Sequence, residues 1–254
     1  MRKLCSVLYY EYKMQIKRPA VWGVLLVTVA MAQLDNFPSA QNLARLEFLN
    51  QPAYFVCRVM SLDALLLFFG LAILLANRFP TDRKNGMKHL FLSYPLEKTA
   101  YILGKLLGGF CVAFSMAFLF LTLNTAVYFF AAPFAVALPD CLIPLEKALL
   151  CCALPASWFV GLMAVALPGV LDIRIFYALA AVLFGFNAAY VGSAETMPFY
   201  LITAGDLVRL IWIHPRWPFV DFTSVAANGV FLLIGGLVFG SLLFCKPAFW
   251  RKRL

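Results

Sequence analysis

The sequence predicts an all-α polytopic membrane protein with six transmembrane helices, and three observations support this fold class. First, 63% of the 254 residues are hydrophobic and only 13% are charged, whereas a soluble domain is about half apolar and about a quarter charged. Second, the apolar residues form separate runs close to the roughly 20 residues that a bilayer requires. Third, the basic residues cluster at the edges of these runs. The chain therefore carries more apolar surface than one globular core can bury.

The six predicted spans are apolar runs with few charges. They cover residues 20–34, 59–77, 102–132, 148–168, 174–192 and 225–245. A further apolar stretch, residues 197–213, contains Asp206 and Arg209, and charges are costly in a lipid-exposed helix. We expect this stretch to be a re-entrant segment within an outer loop at residues 193–224.

The distribution of basic residues predicts the orientation. If the N-terminus lies in the cytoplasm, 16 of the 21 Lys and Arg residues fall on the cytoplasmic side of the predicted topology. Cytoplasmic loops are enriched in Lys and Arg, so we expect a multi-pass protein of the cell inner (cytoplasmic) membrane with both termini in the cytoplasm. This distribution also accounts for the net charge of +9, and no nucleic-acid partner is expected.

Residues 1–18 predict an amphipathic helix that lies on the inner surface of the membrane. Leu4, Leu8, Tyr12 and Ile16 form an apolar face, and cations occupy the other face. The alternative is a signal peptide, because Ala30-Met31-Ala32 resembles a cleavage site. The long charged region before the first apolar run favours the interfacial helix.

The cytoplasmic segment between the second and third predicted spans, residues 78–101, contains another amphipathic helix. An apolar stripe runs along it at positions i, i+3, i+4 and i+7. The stripe consists of Met87, Leu90, Phe91 and Tyr94. Thr81 or Asp82 can cap the start of the helix, and Pro95 ends it. Such a stripe must be buried against lipid or another protein, and the pattern alone leaves both open.

This segment resembles the coupling-helix region of permeases of type-2 ATP-binding-cassette exporters. Those permeases have an acidic and basic start, a Gly, a Leu-rich helix, Ser-x-Pro and a Tyr-x-x-Gly-Lys start of the third span. The chain shows, in the same order, Asp82-Arg83, Gly86, Leu90-Phe91-Leu92, Ser93-Tyr94-Pro95 and Tyr101-Ile102-Leu103-Gly104-Lys105. It departs from the family's usual Gly-Thr-Leu-Glu, because Gly86-Met87-Lys88-His89 stands there.

The resemblance implies a non-catalytic six-helix half-exporter that moves a substrate out of the cytoplasm by alternating access. Its implied partners are the lipid bilayer, a separate ATP-binding-cassette ATPase that docks on the coupling helix from the cytoplasm, and a second permease subunit, which is the same chain in a homodimer or a paralogue. Arg83 and the four stripe residues would form the ATPase-docking surface, and no cofactor is implied. We expect ATP hydrolysis in the partner chain, because Gly104-Lys105 is followed by two leucines and no phosphate-binding loop is present.

Three polar residues within the predicted spans are candidates for a substrate path. Asp63 is the only acid in a predicted span, where a charge at mid-bilayer costs roughly 2.5–3.5 kcal/mol on insertion scales. It also fits an acid at a helix mouth, reached by water or paired with Arg58, Arg209 or Arg216. Asn124 and Asn187 are candidates for lining a cavity, although interhelical hydrogen bonds explain such amides equally well.

Two other functional classes stay open. A stand-alone membrane protein that confers immunity or acts as a scaffold would have the same composition, and co-purification of an ATPase distinguishes an exporter from it. An intramembrane enzyme has little support, because the chain has two histidines and neither an HExxH nor a Gly-x-Ser-x-Gly motif. The seven cysteines lack the spacing of a metal site, so no metal is expected.

Overall fold

A computed structural model describes residues 2–46, 48–85, 97–189 and 222–245, and within these ranges every regular element is a helix. The helices are α1 (Arg2–Ile16), α2 (Pro19–Asn36), α3 (Ala40–Arg45), α4 (Pro52–Arg58), α5 (Ala64–Leu75), α6 (Arg78–Lys84), α7 (Lys98–Ala131), α8 (Leu138–Lys147), α9 (Leu154–Val170), α10 (Ile173–Ala189) and α11 (Phe222–Cys245). Two π-helical turns, Val59–Asp63 and Ala148–Ala153, join α4 to α5 and α8 to α9. The predicted all-α character is confirmed for the described residues.

Four helical stretches are long and apolar enough to cross a membrane. They are Ala64–Asp82, Lys98–Ala131, Leu138–Val170 and Ala226–Cys245. They overlap the second, third, fourth and sixth predicted spans. The first and fifth predicted spans fall on α2, which ends in polar residues, and on α10, which has only 17 residues. The described chain therefore has four candidate membrane-spanning helices, and the number six stays a prediction.

Proline residues and one polar cap determine where several helices begin. Pro19, Pro52 and Pro139 occupy the first or second position of α2, α4 and α8, where the missing N–H costs no hydrogen bond within the helix. Ser39 accepts a hydrogen bond of 3.2 Å from the Asn42 backbone N–H and caps α3. These starts separate the long helices and allow the chain to reverse between them.

Hydrogen bonds between helix ends establish which segments lie together. At one end of the bundle, called the α1 end, Lys98 at the start of α7 donates to the Phe244 carbonyl of α11 at 3.2 Å. At the opposite end, called the Asp63 end, Asn36 of α2 donates to the Asp63 carboxylate at 2.8 Å. The start of α7 and the last turn of α11 therefore share one end, and α2 runs antiparallel to α5.

Glycine allows two helix backbones to touch where α7 and α9 cross. A Cβ placed on Gly161 of α9 would lie only 2.8 Å from the Cα of Phe110 on α7. Trp158, also on α9, donates its indole N–H to the Leu233 carbonyl of α11 at 3.1 Å. Helix α9 therefore packs against both α7 and α11.

Several helices present apolar side chains to the outside of the bundle. Leu34 of α2, Val182 of α10 and Leu237 of α11 expose 73%, 70% and 59% of their surface. Large exposed apolar patches are rare on monomeric soluble proteins, whereas lipid solvates them. These faces support a membrane location for the bundle.

Candidate functional site

A buried network of charged side chains joins α1 to α6 and α7 at the α1 end. Its centre is the Glu11 carboxylate of α1. Arg78 of α6 donates from Nε to Glu11 Oε1 and from Nη2 to Glu11 Oε2, the latter at 3.0 Å. Lys105 Nζ of α7 lies 3.5 Å from Glu11 Oε2. One carboxylate therefore connects three helices.

A second carboxylate, Asp82 of α6, completes this ionic network. Lys105 Nζ lies 2.5 Å from Asp82 Oδ2, and the Tyr101 O–H donates to the same oxygen. Lys105 Nζ is also 5.3 Å from the centre of the Tyr101 ring and 5.4 Å from that of Phe79, distances at which cation–π attraction operates. Two cations balance two anions, and none of these four charged side chains is more than 11% exposed.

Two further polar residues extend the contacts of α1 toward α5. Gln15 Nε2 donates to Glu11 Oε1 at 3.1 Å, and Arg18 Nη1 donates to Gln15 Oε1 at 3.2 Å. Arg18 Nη1 also donates to the Leu74 carbonyl in the last turn of α5, at 3.1 Å. The second half of α1 and the turn after it are thus attached to the bundle through polar groups.

Two glycines on α7 let α1 approach closely enough for these bonds. A Cβ on Gly104 would lie 2.5 Å from Val7 Cγ1, and a Cβ on Gly108 would lie 2.8 Å from Glu11 Cγ. Residues four positions apart share one helix face, so the two glycines form a flat contact surface for α1. Lys105 stands beside that surface and meets the carboxylate.

The apolar face predicted for α1 is only half-buried in the structure. Of the described side chains of α1, the buried ones are those of Glu11 and Gln15. Tyr12, on the predicted apolar face, donates its O–H to Ser115 Oγ of α7 at 3.2 Å. Helix α1 therefore uses a polar stripe to bind the bundle, and its position at a membrane surface stays a prediction.

The cations of the network keep Glu11 ionised despite its burial. Burial alone raises the pKa of Glu11, but the hydrogen bond from Arg78 and the charges of Lys105 and Arg78 outweigh it and hold the pKa below its ordinary value of 4.5. A buried charge is tolerated only when it is paired and hydrogen-bonded. The ionised carboxylate is therefore the form that stabilises the contact between α1 and the bundle.

The lowered pKa of Glu11 predicts a loss of stability in acid. A group whose pKa is lowered on folding stabilises the folded state above its unfolded pKa, and this contribution disappears as the pH falls through the folded pKa. The melting-temperature difference between the parent and Glu11→Gln should be constant from pH 7 to 5 and shrink below about pH 4.5. Thermal unfolding of both proteins across pH 7 to 3 measures it. A difference that persists unchanged to pH 3 would contradict this role.

The network also connects the two sides of the segment 86–96, which lies outside the described residues. Asp82 stands in α6 just before this segment, while Tyr101 and Lys105 follow it on α7. Of the predicted docking residues, Arg83 lies on α6, and its side chain is not described. The others lie in the segment itself: Met87, Leu90, Phe91 and Tyr94. The docking surface therefore stays a prediction, but both of its flanks are attached to α1.

Asp63, predicted to lie on a substrate path, is buried at the opposite end of the bundle. Its Oδ2 accepts the Asn36 amide at 2.8 Å, and Arg58 Nε donates to Asn36 Oδ1 at 3.3 Å. The Asn36 side chain therefore bridges the acid and the guanidinium across a π-helical turn. Together with Asp35, Asp63 lines a cavity of about 380 Å³ between α2, α5 and α10.

The other two predicted path residues are not among those that line this cavity. Asn124 is buried, and its Oδ1 accepts a hydrogen bond of 2.6 Å from Gln33 Nε2, which joins α7 to α2. Asn187 is buried on α10 and donates to the Leu183 carbonyl of its own helix at 2.9 Å. Interhelical hydrogen bonding accounts for Asn124. Of the three predicted path residues, Asp63 is the one that lines the cavity.

The ionic network was not predicted, although two signals pointed toward it. Glu11 is the only acid of α1, and Lys105 lies inside the long apolar helix α7. A charged residue on a helix that otherwise packs through apolar or small side chains is rarely buried unless it is paired. These two residues therefore signalled a buried pair, but not which residues form it.

No protein-family description, curated protein or solved structure matches the chain. Its class is defined by its own architecture, an all-helical protein with four candidate membrane-spanning helices among the described residues. In those same ranges, no three His, Cys, Asp or Glu side chains are placed to hold a metal ion.

Proposed function

We propose that the chain is the membrane-spanning subunit of a type-2 ATP-binding-cassette exporter, powered by a separate ATPase subunit. The observation that carries the proposal is the ionic network, because it ties α1 to both flanks of the segment that resembles a coupling helix. Coupling between distant sites travels through packed helices and charged networks that move as units. This network is suited to pass a displacement of the segment into the bundle.

In this proposal the chain crosses the membrane six times. Helices α2 and α10 add two spans to the four candidate spans, and both pack against α5. The contact with α10 includes the rings of Phe69 and Phe184, whose centres are 5.3 Å apart. The α1 end, to which the predicted topology assigns most of the basic residues, faces the cytoplasm. Both termini then lie on the side where an ATPase would dock.

The proposed cycle uses the network as a rigid link. Two permease subunits, identical or paralogous, face each other, and one ATPase subunit docks beneath each segment 86–96. ATP binding and hydrolysis displace this segment. Because Asp82, Tyr101 and Lys105 hold its flanks together, α6 and α7 move with α1 as one body. The bundle then alternates between inward-open and outward-open states.

A double substitution on the apolar stripe tests the proposal. Leu90→Asp with Phe91→Asp places two carboxylates in an interface that should exclude water, and burying unpaired charge costs several kcal/mol. The variant should insert into the membrane, because no predicted span is changed. Its affinity-tagged form should recover about tenfold less ATP-binding-cassette ATPase from its native cells than the parent. ATP turnover of the purified complex should fall in parallel.

The matched control adds the same charges to the other face of the predicted helix. His89→Asp with Ser93→Asp should leave ATPase recovery unchanged. Full ATPase binding by the stripe variant would show that the stripe rests on lipid and that coupling runs elsewhere, such as the turn at residues 172–174. If the parent itself recovers no ATPase, the chain is a stand-alone membrane protein of the immunity or scaffold kind.

A further inference from the structure

The cavity at the Asp63 end has the dimensions and lining of a small-molecule site. Its volume of about 380 Å³ is near the lower limit for ligand pockets, which measure roughly 300–1,000 Å³. Most of its wall is apolar and includes Met31, Leu66, Phe69 and Phe184. Such sites bind through apolar contact and use a few polar groups to orient the ligand.

Both charged side chains that line the cavity are carboxylates. The nearest described cations stand outside the lining: Arg58 reaches Asp63 through the Asn36 side chain, and Arg45 donates to the Asp35 backbone carbonyl at 2.9 Å. Asp63 is only 5% exposed and accepts the Asn36 amide. Asp35 is exposed at the cavity, and no described residue donates a hydrogen bond to its carboxylate. No described Lys or Arg forms an ion pair with either acid. A cleft that is lined by negative charges and has low-dielectric walls attracts a cation.

The opposite wall of the cavity is suited to the apolar part of such a cation. The rings of Phe69 and Phe184 are tilted against each other with centres 5.3 Å apart. Aromatic rings bind apolar groups and also attract cations through their faces. A ligand whose charged head lies at the carboxylates can therefore place its body against these two rings.

Gly185 of α10 leaves part of this space open. It lines the cavity, and a Cβ placed on it would meet nothing within 4 Å. The position therefore accepts a side chain without a clash, and because Gly185 belongs to the lining, we expect a large side chain there to reach into the cavity.

We propose that this cavity binds a monovalent organic cation, with an ammonium head between Asp35 and Asp63 and a small aryl or alkyl body against Phe69 and Phe184. This inference rests on the proposed exporter function, because it names the substrate class of that exporter. The binding step itself requires neither ATP nor the ATPase subunit.

Three probes with one apolar body and different charges test the proposal. The purified full-length chain in lipid nanodiscs is titrated calorimetrically with 4-phenylbutylammonium, 4-phenylbutanol and 4-phenylbutyrate, and empty nanodiscs provide the blank. The ammonium should bind about tenfold more tightly than the alcohol, and the carboxylate should not bind measurably. Asp35→Asn and Asp63→Asn should each remove most of the preference for the cation while leaving the affinity for the alcohol unchanged.

A space-filling variant separates the cavity from the surrounding lipid. Gly185→Leu should abolish binding of both the ammonium and the alcohol, whereas Gly229→Leu, at an equally open position on α11, should leave both unchanged. Equal affinity for the three probes, or an unchanged cation preference in Asp35→Asn, would overturn the proposal. The titration contains no ATPase, so its result does not depend on the outcome of the ATPase-recovery experiment with the stripe variant. Conversely, a chain that binds none of the probes could still recover the ATPase.

Discussion

Replacing Glu11 with Gln is expected to lower the melting temperature of the detergent-solubilised protein by roughly 10 °C. The substitution leaves the Arg78 and Lys105 cations buried with Asp82 as their remaining carboxylate. Removing one partner of a buried ion pair costs about 3–5 kcal/mol, because the other charge stays desolvated without compensation. Thermal unfolding followed by tryptophan fluorescence measures the effect.

Two further variants show whether this loss arises from the network. Lys17→Gln removes an exposed charge from the same part of the chain and should change the melting temperature by no more than about 2 °C. Glu11→Gln with Arg78→Met removes one cation together with the anion and leaves the pair of Lys105 and Asp82. It should recover part of the lost stability. A Glu11→Gln protein as stable as the parent would show that the network does not stabilise the fold.

Gly161→Ala is expected to disturb the crossing of α7 and α9 more than any substitution at an open glycine. The new Cβ would lie 2.8 Å from Phe110 Cα and 2.9 Å from Phe110 N. Both are backbone atoms, so no rotation of a side chain relieves the clash. Overpacking a core costs about 1–3 kcal/mol, and we expect a loss at the upper end of that range. A lower melting temperature and a smaller monodisperse fraction in size-exclusion chromatography would show it.

The matched control is Gly23→Ala on α2, where a Cβ meets nothing within 4 Å. Alanine is favoured over glycine inside a helix by about 0.8–1.0 kcal/mol. The control should therefore keep or raise the melting temperature. If both variants behave alike, the two backbones are not in contact at Gly161 and the crossing is looser than described.

The long helices could be predicted from the sequence because apolar runs of this length have few other structures available to them. The residues at which these helices begin and end were harder to predict. The predicted span begins at residue 102, where the apolar run begins, but helix α7 begins at Lys98. Hydrophobicity alone does not reveal that the polar residues before the run are also helical. Lys98 donates to a carbonyl of α11, and Tyr101 donates to Asp82. Tertiary partners therefore extend the helix beyond its apolar part.

The functional residues could be predicted only where one residue is unusual by itself in the sequence. Asp63 stands out because an acid in an apolar run is costly wherever it is placed. Glu11 and Arg78 are 67 positions apart in the chain, and their meeting depends on how α1 packs on the glycine surface of α7. The family resemblance drew attention to Asp82, Tyr101 and Lys105 as a motif. In the structure these residues bind each other and, through Lys105, Glu11.

The order in which the members of the network are synthesised restricts how the chain assembles during translation. Glu11 leaves the ribosome first, Arg78 and Asp82 follow, and Lys105 comes last. Until α7 has emerged, Arg78 is the only one of its two cations that Glu11 can meet, and Asp82 lacks both the ammonium and the phenol that bind it in the folded protein. Helix α1 therefore reaches its final position late, after about two fifths of the chain has been made. A nascent chain that stalls before residue 105 would expose an acid without its counter-ion to the machinery that inserts it.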